Sequence, residues 1–132
     1  MTKPFVPDPG AALVRYQVED LDRAVAFYTQ SLGFREVQRA GPVGIIARGA
    51  LHLLLSAPQS SGARAMPDGA KQRPGGWNRI VLYVEDLDAA MGKLEQVNAH
   101  FRNTVESGPG GRQILLDDPD GNPIELHEAP RT

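Results

Sequence analysis

Val18-Glu19-Asp20-Leu21-Asp22 reappears further along the chain as Val84-Glu85-Asp86-Leu87-Asp88. An alternating apolar run precedes each copy, and an apolar run at helical spacing follows it. Each copy therefore marks a strand-to-helix junction. Asp20 and Asp86 are placed to cap a helix, because a carboxylate there accepts an orphan amide of the first turn. Asp22 adds favourable charge at the positive end of its helix. A repeat with matching flanks means two copies of one supersecondary unit.

Outward from the first copy, Ala11–Val18 alternates Leu13, Arg15 and Gln17 with Val14, Tyr16 and Val18, as a strand does. Leu21, Val25, Tyr28 and Leu32 then follow at helical spacing, and Gly33 suits a left-handed helix exit. Strands are expected at Phe34–Val37, Val43–Ala47 and Leu51–Ser56. Outward from the second copy, Asn78–Val84 is a strand with Arg79, Val81 and Tyr83 on one face. Leu87, Met91 and Leu94 form a helical stripe, and Asn98 takes the left-handed exit. Strands are expected at His100–Val105, Gln113–Leu116 and Pro123–Glu128, with a Gly/Pro turn over 106–111. Asp117 to Asn122 reads as a hairpin-type turn, in which carboxylates bond back to the main chain and Gly121 supplies positive φ.

This order is strand, helix, strand, strand, strand, twice over. The predicted fold is α+β: one domain, residues 1–132, built from modules 11–56 and 77–129. The Pro- and Gly-rich residues 57–76 are read as a linker whose Arg64, Met66, Lys71 and Arg73 are solvated but within reach of a ligand. Residues 1–10 read as an extended arm.

The 132 residues carry a net charge of −2 and no cysteine. Disulfides, thiolate catalysis and cysteine metal sites are excluded. There is no basic footprint for nucleic acid and no apolar run of the roughly 20 residues that a membrane span needs. A cytoplasmic location is the default expectation.

With Ala26-Phe27-Tyr28, Leu32-Gly33-Phe34 and Asp118-Pro119-Asp120-Gly121-Asn122-Pro123-Ile124-Glu125-Leu126 added to the repeat, the chain resembles the vicinal oxygen chelate superfamily. That superfamily includes glyoxalases, bleomycin-resistance proteins, fosfomycin-resistance enzymes and extradiol dioxygenases. The resemblance implies a cup-shaped sheet and pairing in a homodimer. It also implies four metal-ligand positions: Leu13, Leu53, Arg79 and Glu125 in this chain. Two leucines and an arginine cannot hold a divalent cation, so no metal and no other cofactor is expected. Arg79 is expected to pair with Glu125 in the metal's place.

The expected small-molecule site comprises Arg15, Gln17, Leu53, Trp77, Arg79, Tyr83, Glu125 and His127, an apolar wall with a few polar groups. His52 is expected on the helix side or at an edge. The leading function is metal-independent binding and sequestration of a small molecule, such as an aromatic drug or antibiotic, in the manner of bleomycin-resistance proteins. The alternatives are enzymes: a lyase or isomerase using Glu125 as base and Arg79 as oxyanion stabiliser, or an extradiol-dioxygenase-like protein.

Overall fold

A computed structural model describes residues 6–131 of the chain. Part of the expected N-terminal arm, residues 1–5, lies outside the described residues. The chain divides after Pro74 into two compact units. The first contains β1 (Val14–Gln17), α1 (Leu21–Ser31), β2 (Arg35–Ala40), β3 (Val43–Arg48) and β4 (Leu51–Ser56). The second contains β5 (Ile80–Tyr83), α2 (Leu87–Gln96), β6 (His100–Phe101), β7 (Glu106–Gly108), β8 (Gly111–Asp117) and β9 (Pro123–Glu128). No helix among the described residues is long and apolar enough to cross a membrane.

The two copies of the repeat do the same local work. Asp20 accepts from the Arg23 amide at 3.1 Å, and Asp86 from the Ala89 amide at 3.0 Å. These caps satisfy amides that the first helical turn leaves without a partner. Asp22 pairs with Arg39, and its counterpart Asp88 pairs with Arg112, in each case an arginine on a strand of the same unit. At the exits, Gly33 and Asn98 both have positive φ. Asn98 closes a Schellman turn, in which the Ala99 amide reaches Leu94 O and the Asn98 amide reaches Glu95 O.

Each sheet has its first and last strands side by side and parallel. The first sheet runs β1-β4-β3-β2, and the second β5-β9-β8-β6 with β7 also on β8. Opposed residues point to the same face of a sheet. In the first unit Val14 opposes Leu53 and Tyr16 opposes Leu55, while Leu53 opposes Ile46 and Leu55 opposes Gly44. This is the face that α1 covers: a side chain at Gly44 would meet Leu21 and Val25 of the helix at 3.3 and 3.4 Å. Tyr28, Ile46, Leu53 and Leu55 are fully buried there. In the second unit Ile80, Leu82, Ile114, Leu116, Ile124 and Leu126 share the corresponding buried face with Leu87 and Leu94 of α2.

Two expectations need correction. The strand read over His100–Val105 keeps only β6. Arg102 N still bonds Leu115 O at 2.8 Å, but the next partner of Leu115 is a side chain, Asn103 Oδ1 at 2.9 Å, which replaces a main-chain rung. The ladder resumes as β7, inside the segment read as a turn, with Glu106 opposing Gln113. The tight turn is confined to 108–111. The hairpin-type turn before β9 forms as expected: Asp118 Oδ1 accepts the amides of Asp120 and Asn122, and Gly121 has φ 89°.

The second correction concerns Leu53. It lies on the helix face, as do Leu51 and Leu55 by alternation, whereas Arg15 opposes Leu54 and Gln17 opposes Ser56 on the other face. His52 is in phase with Leu54, so it too belongs to the face away from α1 and not to the helix side. Leu53→Ala should therefore destabilise the fold by about 2–5 kcal/mol in denaturant titration, as deletion of a fully buried leucine does. Leu54→Ala should cost distinctly less; a reversed order would refute this register.

Candidate functional site

The face of each sheet turned away from its helix is called the open face. Val18 N donates to Ser56 O at 2.9 Å, and Val84 N to His127 O at 2.9 Å. These bonds align the two units residue by residue. Ser56 corresponds to His127 and Leu54 to Glu125. The Ala-Pro pairs at 57–58 and 129–130 suggest an alignment one residue out of step, which is how Leu53 came to be expected here.

In the second unit the open face carries Arg79, Val81 and Tyr83 from the first strand and its approach, and Glu125 and His127 from β9. Glu125 is 7% exposed. Arg79 directs two nitrogens at one carboxylate oxygen, Nε and Nη2 both at 3.0 Å from Oε1. The other oxygen is taken: His127 Nδ1 lies 3.0 Å from Oε2. The remaining ring nitrogen of His127 lies 2.8 Å from Gly110 O, in the β7–β8 turn. A carbonyl can only accept, and so can a carboxylate, so both ring nitrogens donate only when the imidazole is protonated. The Gly110 carbonyl, and then Glu125, hold the His127 pKa above its ordinary value. Tyr83 stacks against the imidazole with ring centroids 4.9 Å apart. Tyr83 and Val81 are otherwise open, at 61% and 45% exposure.

Trp77 sits beside this group, and one of its faces is occupied. The Arg102 guanidinium lies 4.8 Å from the ring centroid. It is anchored there by Asp117, Gly76 O and Gly121 O. Neither Arg102 nor Gly110 was anticipated from sequence, because each meets its partner only through the pairing of strands distant in the chain.

In the first unit, Arg15 donates to Ser56 Oγ at 2.6 Å and is not held by a carboxylate. Gln17 donates to Gly62 O at 2.9 Å and to Gln72 Oε1 at 3.0 Å. Residues 57–74, expected as a linker, thus lie across β1 of their own unit. A 3-10 turn at Ser61–Ala63 brings Gly62 so close to Arg15 that an added Cβ would overlap the guanidinium.

The four positions where the resemblance implies metal ligands, with the register corrected, are Leu13, Leu54, Arg79 and Glu125. They do not fit a divalent cation. Leucine has no donor atom, arginine places a fixed positive charge at the position, and both oxygens of Glu125 are engaged. Among the described residues no cluster of three or more His, Cys, Asp or Glu side chains could hold a metal.

A protonated His127 links stability to pH. Its folded-state pKa is raised, so its contribution is fully present below about 6.5, the unfolded value. That contribution is lost as pH rises through the higher folded value. The stability difference between the wild type and His127→Asn, measured by urea unfolding, should therefore shrink from pH 5.5 to pH 8.5. A difference that grows with pH would contradict the assignment.

A model of the Glyoxalase/Bleomycin resistance protein/Dioxygenase superfamily matches residues 10–126, and the chain belongs to that superfamily. No curated protein matches the chain. Among solved structures, a lactoylglutathione lyase from Agrobacterium tumefaciens is 27% identical, with a TM-score of 0.66 over 92% of this chain and 96% of that one. TnmS3, an antibiotic binding protein from Streptomyces sp. CB03234, is 24% identical, with a TM-score of 0.65 over 91% and 97%. The fosfomycin resistance protein FosX from Listeria monocytogenes, in complex with Mn(II) and sulfate, is 17% identical, with a TM-score of 0.72 over 92% and 90%. The last two likenesses concern the fold.

Proposed function

As a member of this superfamily whose ligand positions are filled by leucine and an ion pair, the chain is one that we propose binds a small organic molecule without a metal and releases it unchanged. The observation that carries this reading is the state of Glu125. Arg79 holds one of its oxygens with two nitrogens and His127 holds the other, so three of the roughly four lone-pair sites of the carboxylate already accept from cationic or ring donors rather than facing a substrate proton. Around it stand groups suited to recognition. Tyr83 and Val81 offer exposed aromatic and apolar surface, and Arg79 offers remaining guanidinium donors next to them. A planar aromatic ligand with a polar edge suits that combination. TnmS3 is an antibiotic binding protein with the same fold, which makes sequestration of a drug-like natural product the specific form of the proposal.

The competing reading is a lyase or isomerase, favoured by the 27% identity to a lactoylglutathione lyase. There Glu125 would act as a base through the one lone-pair site left on Oε2, or after releasing Arg79 or His127.

The two readings separate in one experiment. Purified protein is equilibrated with a panel of planar aromatic natural products, with and without EDTA, and the bound fraction is re-isolated and weighed by mass spectrometry. The expected result is saturable binding, indifferent to chelator, with ligand mass unchanged. Arg79→Ala should weaken that binding by about tenfold or more, the scale of a lost charge-assisted contact. A covalently altered ligand, or turnover abolished by Glu125→Gln, would replace sequestration with catalysis.

The superfamily likeness further supports a homodimer. Light scattering should return twice the chain mass of 14.3 kDa; a monomer at micromolar concentration would remove that part of the proposal.

A further inference from the structure

Residues 57–74 make the first unit more than a structural counterpart of the second. The segment leaves β4 through Ala57, whose amide bonds Pro42 O at 2.9 Å, and makes its single 3-10 turn. Gln72 then ties the loop shut. Its Oε1 accepts from Gln17 at 3.0 Å, while its Nε2 donates to Arg64 O at 3.0 Å. One side chain therefore clamps both ends of the 64–72 excursion to β1. Within the excursion, Met66 and Ala70 close a further turn, with Asp68 accepting the Ala70 amide.

Beneath this clamp lies a cavity of about 480 Å³, within the range of small-molecule sites. Lys71 and Arg73, the neighbours of the clamping Gln72, both line it. Among the described residues neither has a hydrogen-bond or ion-pair partner; Glu19 also lines the cavity and pairs with neither cation. Two unpaired cations against one carboxylate leave the cavity with an excess of positive charge. Its other walls are the amides of Gln17 and Gln72 and small apolar groups, including Pro58, Ala63 and Ala65. A protein that only needed to join two units would have no use for a clamped loop presenting two uncompensated cations over a pocket.

We infer that this cavity is a binding site for a small organic anion, its carboxylate or phosphate received by Lys71 and Arg73 and its apolar body lying along Pro58, Ala63 and Ala65. Arginine suits planar, two-point contact with such a group, and lysine adds a mobile point charge. None of the lining residues belongs to the Arg79–Glu125–His127 group, so the inference is tested separately from the function proposed for the second unit.

The test uses the full chain, 15N-labelled, titrated in separate arms with benzoate and with inorganic phosphate. Saturable shifts of the amides of residues 17–19 and 71–73 are expected in at least one arm; benzoate alone marks a carboxylate site, phosphate alone a phosphate site. A Lys71→Ala/Arg73→Ala double variant, altered only at exposed side chains, should bind the active probe about tenfold or more weakly. Arg79→Ala should leave that binding unchanged. Raising salt should also weaken binding, since the cations are exposed. No saturable shift with either probe, or equal affinity in the double variant, would overturn the inference. So would shifts confined to residues 79–83 and 125–127.

Discussion

Each unit depends on the parallel pairing of its first strand with its last. The Val18 amide on Ser56 O, and the Val84 amide on His127 O, lock that pairing at the point where the chain turns into a helix. Because side chains alternate along a strand, a shift of one residue in this register would exchange the buried and open faces. With the register as it is, Leu53, Leu55, Ile124 and Leu126 are buried beneath their helices. Leu54, Ser56, Glu125 and His127 are delivered to the open faces. The hydrophobic requirement of the core thus also determines which polar residues can meet a ligand.

The two units have diverged on that open face while keeping their scaffold. In the second, a buried carboxylate is shared between a guanidinium and an imidazole, and the imidazole in turn holds the β7–β8 turn through Gly110. A buried charge is tolerated only with such partners. Its neighbour Glu128 points the other way and is bound into the scaffold: the Leu87 amide, and then the nearby arginines, hold its carboxyl below the ordinary range. Two carboxylates three residues apart on one strand therefore serve different ends, one at the open face and one at the start of α2. In the first unit no carboxylate stands at the position of Glu125. Neutral groups take over: Gln17 and Gln72 tie a loop across the sheet, and the Ser56 hydroxyl accepts from Arg15.

Much of the fold was legible because local chemistry and global packing agree. The Asp caps, the Gly33 and Asn98 exits and the Asp118–Asn122 turn each act within a few residues of themselves, and each forms as its residue types require. The Arg79–Glu125 pair was also legible, since an arginine and a carboxylate at related strand positions have few other ways to be satisfied. What misled was coincidence at a distance. The Ala-Pro pairs implied an alignment in which Leu53 matches Glu125, and a run of three leucines gives no internal sign of which one faces inward. Residues 57–76 were read as a linker because the order of this segment comes from Gln17, which is 45 positions before Gly62 and 55 before Gln72.

The sequence by itself therefore determined the repeat, the order of elements in the first unit and the superfamily. All of these rest on residue type and short-range spacing. Only the tertiary structure decided which leucine lies under α1, that both oxygens of Glu125 are engaged, that both ring nitrogens of His127 face acceptors, and that Lys71 and Arg73 line a cavity. Those facts depend on strand register and on long-range hydrogen bonds, which link atoms whose separation along the chain carries no local signal.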